Sequence, residues 1–456
     1  MPLSVIILAA GQGKRMVSDL PKVLHPLGGR PLLAHVLETT RGLQADRCCV
    51  VYGHGGEAVK TAFADRAGIE WVEQPQQLGT GHAVGQVLPA IPADAIVLVL
   101  YGDVPLVRAE TLQPLVASAH QGYLGLLTVE LANPSGYGRI IRNQTGHVVR
   151  IVEDKDTTAA ERRIHEVNTG ILAVQAPRLQ TWVSTLKNDN SQGEYYLTDV
   201  IERAVQDGVR VEAFTAAEPE EVQGVNDRLQ LAQLERYYQR RQVETLLFNG
   251  VTLLDPARVD LRGKVTAGRD VVIDVNVIFE GEVRLGDRVR IGPHCVLRDT
   301  VLGDDTEVLS HCRIEGAEVG RGVQIGPFAR LRPGARLADG VKIGNFVEVK
   351  QSVIGRDTKV NHLTYIGDAE IGAAVNVGAG TITCNYDGAN KHKTIIGDRV
   401  FVGSNVALVA PVKVGEGATL GAGSTITRDV PADSLAITRA PQKTVADWQR
   451  PRKPSS

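Results

Sequence analysis

Aromatic residues make up only 4% of this 456-residue chain, and cysteine occurs five times. Cys48, Cys49, Cys295, Cys312 and Cys384 form no framework of spaced pairs, which excludes a disulfide-stapled scaffold and favours a reducing cytoplasm. No apolar run is long enough to span a bilayer, and Met1-Pro2-Leu3-Ser4 runs straight into a buried-strand pattern rather than a signal peptide. Neither charge is in excess: 50 Lys and Arg stand against 52 Asp and Glu, so nothing points to a nucleic-acid or membrane surface. Glycine, by contrast, is abundant at 48, and the length allows two or three domains with ample core.

Much of that glycine falls on a six-residue beat between about Gly268 and Thr427: an aliphatic residue, usually glycine next, and a small residue at the fifth place. Ile291-Gly292-Pro293-His294-Cys295-Val296 and Leu420-Gly421-Ala422-Gly423-Ser424-Thr425 are clear copies, and fourteen Leu/Ile/Val-Gly pairs lie between Leu285 and Leu420. A period of six suits neither a helix nor an alternating strand; it predicts a parallel β-helix in which each hexapeptide is a short strand plus a turn. His294-Cys295 and His311-Cys312 recur one coil apart and raise the idea of a zinc site. Cys295, however, holds the small fifth position, and adjacent strand residues face opposite ways, so the favoured reading is cysteine inward and histidine outward.

The beat also locates a charged cluster. It runs through Leu331, Leu337, Ile343 and Val349, slips by one residue, and continues at Ile354, Val360 and Ile366. With three hexapeptides per coil, Leu331, Val349 and Ile366 should stack at one corner. Arg332 and Lys350 replace glycine there, so two cations should lie one above the other at about 4.8 Å, with Tyr365 in the next coil. Such an arrangement reads as a phosphate clamp. The beat breaks between Val377-Gly378 and Ile396-Gly397, where Gly380 to Lys393, including Lys391, should leave the coil as a loop over the site.

At the other end, Val5 to Ala10 reads as a buried parallel strand, followed by Gly11-Gln12-Gly13-Lys14-Arg15-Met16. A glycine-rich turn after such a strand lets backbone N–H groups approach a phosphate. It is not a P-loop, and Met16 stands where a dinucleotide fingerprint needs its third glycine. Lys14, Arg15 and Lys22 bring three cations to the loop. A second buried strand, Ala95 to Leu100, ends in Tyr101-Gly102-Asp103, placing a carboxylate where it can hold Mg²⁺ beside phosphates. Gln74 and Leu78-Gly79-Thr80-Gly81 offer amides and close backbone approach for a base edge. Arg228 to Asn249, free of Gly and Pro, has apolar residues at helical spacing and reads as one long connecting helix. Trp448 to Ser456 should be loose.

Leu8-Ala9-Ala10-Gly11-x-Gly13-x-Arg15-Met16 with Pro21-Lys22 is similar to the signature of sugar-phosphate nucleotidylyltransferases. With Gln74, Gly79-Thr80, Tyr101-Gly102-Asp103 and the hexapeptides, the chain resembles, over essentially its whole length, the bifunctional N-acetylglucosamine-1-phosphate uridylyltransferase/glucosamine-1-phosphate N-acetyltransferase family. The resemblance implies an α/β Rossmann-like nucleotidyltransferase domain with a mostly parallel sheet (1–228), a linker helix (229–249) and a left-handed parallel β-helix (250–456). It assigns UTP and the UDP-sugar to Leu8, Ala9, Ala10, Gly11, Lys22, Gln74, Gly79, Thr80, Tyr101, Gly102 and Asp103, the sugar to Gly138, Glu153 and Asn168, and Mg²⁺ to Asp103 and Asn226. Arg15 and Lys22 would stabilise charge in uridylyl transfer. His362 would be the base of acetyl transfer, a task suited to an imidazole of pKa about 6.5. Arg332, Lys350, Tyr365 and Asn376 would bind the acceptor. Ala379, Asn385, Tyr386, Ser404, Ala422 and Arg439 would bind acetyl-CoA, with the Ala379 N–H facing the oxyanion. It further implies a cytoplasmic homotrimer feeding bacterial cell-envelope synthesis, peptidoglycan and lipopolysaccharide included.

Three other readings fit parts of the chain. A single-activity nucleotidylyltransferase with a merely oligomerising β-helix predicts no cluster of Arg332, Lys350, His362 and Tyr365. A non-catalytic scaffold resembling exchange-factor subunits predicts loss of Asp103, Lys22 and Asn226, which are all present. An acetyltransferase for another amine or hydroxyl would differ only in its acceptor pocket.

Overall fold

The computed structural model describes residues 1–53 and 55–451, so most of the expected loose tail lies outside the described residues. The chain forms two compact units, Met1–Gln239 and Arg240–Ser456. The division falls inside the long helix Arg228–Phe248 rather than at either of its ends.

The first unit is built on a nine-stranded sheet: β1 (Leu3–Leu8), β2 (Arg47–Tyr52), β3 (Ile69–Glu73), β4 (Ile96–Tyr101), β5 (Leu124–Glu130), β6 (Arg139–Arg142), β7 (Val148–Val152), β8 (Glu166–Gln175) and β9 (Val211–Thr215). Across it the order is β9-β5-β8-β4-β1-β2-β3, with the β6–β7 hairpin attached to β8. β8 is antiparallel to both neighbours; the pairs from β4 to β3 are parallel. β1 is buried along its whole length, as expected of an aliphatic run covered on both faces. The expected strand ended at Ala10, but the strand ends at Leu8; the Ala9 N–H makes a last bond to the Val51 carbonyl at 2.8 Å before the glycine-rich loop opens. The chain goes from β1 to β2 on one side, while β4 lies on the other. The crevice beyond Leu8 and its partner Tyr101 is therefore the switch point where open α/β sheets bind ligands.

The second unit is a β-helix whose coils repeat every 17 or 18 residues, as in Ile291↔Val308, Val308↔Ile325 and Ile325↔Ile343. Inward aliphatic side chains from Val243 to Val430 merge into one continuous core. Cys295 and Cys312 point into it, while His294 and His311 stack outside with ring centroids 4.8 Å apart. Most strands are two or three residues long, but β10 (Lys342–Lys350) and β11 (Lys359–Gly367) run nine residues in register around a corner. The next coil is lengthened: Val377 pairs with Val402, 25 residues on, because the segment after Cys384 leaves the coil and returns at Thr394.

Candidate functional sites

A cavity of about 470 Å³ opens at the carboxyl ends of β1 and β4. Leu8 to Arg15, Lys22, Gln74, Gly79, Thr80, Tyr101, Asp103 and Asn226 all line it. The glycine-rich loop closes as a short turn over Lys14–Met16, with Gly13 at φ 62°. A Cβ on Gly13 would fall 2.9 Å from the Lys22 Cβ, so this glycine lets the cation pack under the loop. Lys22 Nζ donates to Asp103 Oδ2 and, at 3.5 Å, to Asn226 Oδ1. The segment carrying Asn226 is tied down by Val225 N–H donating to the Asp103 carbonyl at 2.9 Å and Asn226 N–H donating to Gln230 Oε1 at 2.7 Å. Two oxygen donors thus converge on one cationic centre, a donor set that fits Mg²⁺ shared with phosphates.

Of the expected sugar residues, Asn168 lines a second, smaller cavity, and Tyr101 belongs to both cavities. Asn168 reaches inward because the pairing of β8 with β5 breaks between Asn168 and Leu172, where Asn168 Oδ1 accepts from Gly170 N–H. Gly138 packs against the Glu153 carboxylate, and Thr198 donates to Glu153 Oε1 at 3.0 Å. Burial, reinforced by Asp156 and Asp154, raises the Glu153 pKa despite that hydrogen bond. Gln77, whose Nε2 donates to the Ala10 carbonyl, and Thr198 also belong to the site. No short motif marks either.

In the β-helix, Leu331, Val349 and Ile366 are register partners, so Arg332 and Lys350 stack one residue further on, above Glu315 and below Gly367. Down the same column, Arg262, Glu280, Arg298, Glu315 and Arg332 alternate in charge. Lys350 breaks the alternation, leaving two neighbouring cations at about strand spacing. Lys391, from the extra loop, adds a third: Lys350 lowers its pKa, with burial contributing less. Carboxylates lie beside them. Glu348 accepts from Arg332 at 2.9 Å, and Asp368 lies 3.9 Å from Lys350 while accepting from Asn385. The Tyr365 side chain folds over Gly367 beside the cations.

His362 lies five residues before Gly367, across a corner from the cations, just before the corner residue Leu363. No hydrogen bond or ion pair joins it to Arg332 or Lys350 among the described residues; its Nδ1 instead meets Asn345 Oδ1 at 2.8 Å. Successive registers place Asn345, His362, Ala379, Ser404 and Ala422 in a single column. At its upper end Arg439 donates to the Ala422 carbonyl at 2.8 Å. Asn376 lies on the neighbouring column beside Lys359 and Phe401. Tyr386, in the extra loop, is 60% exposed; its backbone bridges to Lys391 and its hydroxyl donates to the Gly388 carbonyl.

A family model for the MobA-like NTP transferase domain matches residues 5–143, and one for the bacterial transferase hexapeptide (six repeats) matches residues 316–351 and 393–428. Among related proteins, the "Bifunctional protein GlmU" of Marinobacter nauticus is 58% identical over 99% of both chains. That of Alkalilimnicola ehrlichii is 60% identical over 98% of this chain and 96% of its own, and that of Ralstonia nicotianae 58% identical over 99% of each.

Proposed function

The chain belongs to the bifunctional GlmU family, and from that membership we propose how its two sites divide the work. The enzyme makes UDP-N-acetylglucosamine: it acetylates glucosamine 1-phosphate from acetyl-CoA, then transfers a uridylyl group from UTP to the product, releasing pyrophosphate. One observation carries the division: each unit holds its own polar machinery, Lys22, Asp103 and Asn226 in the first, and Arg332, Lys350 and the His362 column in the second.

In the first site a phosphate oxygen of N-acetylglucosamine 1-phosphate attacks the α-phosphorus of UTP in line, and the bond to pyrophosphate breaks. The nucleophile is already anionic, so placement and charge control suffice. Gly138, Glu153 and Asn168 orient the sugar, Gln74 and Gly79-Thr80 hold the base, and Arg15 and Lys22 spread the negative charge. Asp103 and Asn226 would hold Mg²⁺, which supplies further charge neutralisation when bound.

In the second site Arg332, Lys350 and Tyr365 hold the acceptor phosphate on one side of the corner, and Asn376 steadies the sugar. His362, just before the corner, removes a proton from the amine as nitrogen attacks the thioester carbonyl. The Ala379 N–H, directly above His362, steadies the oxyanion, and coenzyme A leaves as the thiol. The column through Ser404 and Ala422 guides the donor towards Arg439 and its phosphates, and the loop carrying Asn385 and Tyr386 closes over it. We place the enzyme in the cytoplasm, whose reducing conditions suit five free thiols. We assemble it as a homotrimer through the coil, where Phe328, Phe346 and Leu363 form an exposed strip (48%, 56% and 63%) that a second copy would cover.

The test is two variants and two assays. His362→Ala is expected to lose acetyl transfer by about 10²-fold or more while keeping uridylyl transfer, and Asp103→Ala the reverse. Loss of both activities from either change in a folded protein would sink the division.

A further inference from the structure

A base that abstracts a proton with one ring nitrogen needs the other nitrogen fixed, otherwise the tautomer that presents a lone pair to the substrate is only one of two. The Asn345 Oδ1 at 2.8 Å from His362 Nδ1 is an acceptor without a proton, so Nδ1 must donate and Nε2 is left with its lone pair. Nothing else in the column can do this. Ala379 above has no polar side-chain atom, and Pro327 lies one coil below Asn345.

The backbone is built for the contact. A Cβ at Gly344 would collide with the Asn361 carbonyl, so only glycine allows the two coils to approach immediately before Asn345 and His362. The nine-residue ladder of β10 and β11 carries the register unbroken past both residues, and Thr364 Oγ1 donates to the His362 carbonyl. Asn345 is therefore presented by a rigid element, not by a loop.

We propose that Asn345 is the positioning residue of acetyl transfer, holding the His362 imidazole in the Nδ1–H tautomer with Nε2 turned to the acceptor amine. This rests on His362 being the base. Asn345 touches neither substrate; it acts through the ring. Its amide is neutral, so it orients the ring without placing a charge beside it. A carboxylate in its place would keep the orientation and favour the imidazolium.

Two isosteric or near-isosteric variants test this in the full-length enzyme. Asn345→Asp should move the acid limb of the kcat/KM profile for acetyl transfer up by on the order of one pH unit, with activity recovered above it. Asn345→Leu should lower kcat about tenfold or more with little change in the KM for glucosamine 1-phosphate. The ¹⁵N shifts of the His362 ring should report Nδ1–H in the wild type and lose that preference in the leucine variant. An unmoved profile in Asn345→Asp, or an unchanged tautomer in Asn345→Leu, overturns the proposal. Should His362→Ala keep acetyl transfer, the assignment of the base fails instead, which is a separable result.

Discussion

Burial pushes the Asp199 carboxyl up to about 6, with repulsion from Glu202 and Glu153 adding to it. Its folded-state pKa lies above the unfolded value near 4, so between about pH 4 and 6 the folded chain binds the proton more tightly. Stability of the first unit should fall as pH rises through that window, and Asp199→Asn should remove that share of the slope. Thermal midpoints of that unit between pH 4 and 7 check this: the variant should gain on the wild type up to about pH 6 and run parallel above it. A variant that loses ground instead would show that the carboxylate is stabilised rather than strained. Asp199 was invisible in the sequence because its environment is made by residues of other elements, Glu153 among them. Asp103 and Lys22 were legible, since each follows directly from a strand end or the glycine-rich loop. Asn345 was within reach: it lies 17 residues before His362, one step of a beat already counted.

Elements place these residues, and one buried contact shows how. Glu221 is fully buried, accepts from the Arg108 backbone N–H at 3.0 Å, and takes the Arg108 guanidinium at 2.7 Å. This fastens the turn Pro219–Val222 to the chain just beyond β4, and from that turn the chain reaches Asn226 opposite Asp103. Glu221→Ala leaves the Arg108 backbone N–H without this acceptor, while the partly exposed guanidinium keeps Glu218 at 4.0 Å, and should cost about 1–3 kcal/mol. It should also weaken uridylyl transfer more than acetyl transfer, because the Asn226 segment loses its tether; denaturant midpoints and the two assays read both effects. If stability falls while uridylyl transfer per folded molecule is unchanged, the tether does not serve the site. The β-helix strands were readable because the hexapeptide period repeats the same local rule. The β6–β7 hairpin and the break in β8 were not, since each depends on which strand happens to lie alongside.

For the whole molecule, the question is whether two units on one chain share their stability. The β-helix core is continuous from Val243 to Val430, and each coil leans only on its neighbours, so damage to one coil should spread through that unit. Leu297 is fully buried two coils below Leu331, in the column of inward side chains beneath the cation stack. Leu297→Ala removes no candidate site residue and should cost about 2–5 kcal/mol of that unit's stability. The sheet of the first unit has its own closed core on both faces and needs no coil to complete it. Heating the full-length variant and assaying both reactions after cooling separates the alternatives. Acetyl transfer should be lost at a lower temperature than in the wild type, with the uridylyl profile unmoved. Equal displacement of both profiles would mean that the long helix transmits unfolding from one unit to the other, and that the two activities are bound by stability even though their chemistry is separate.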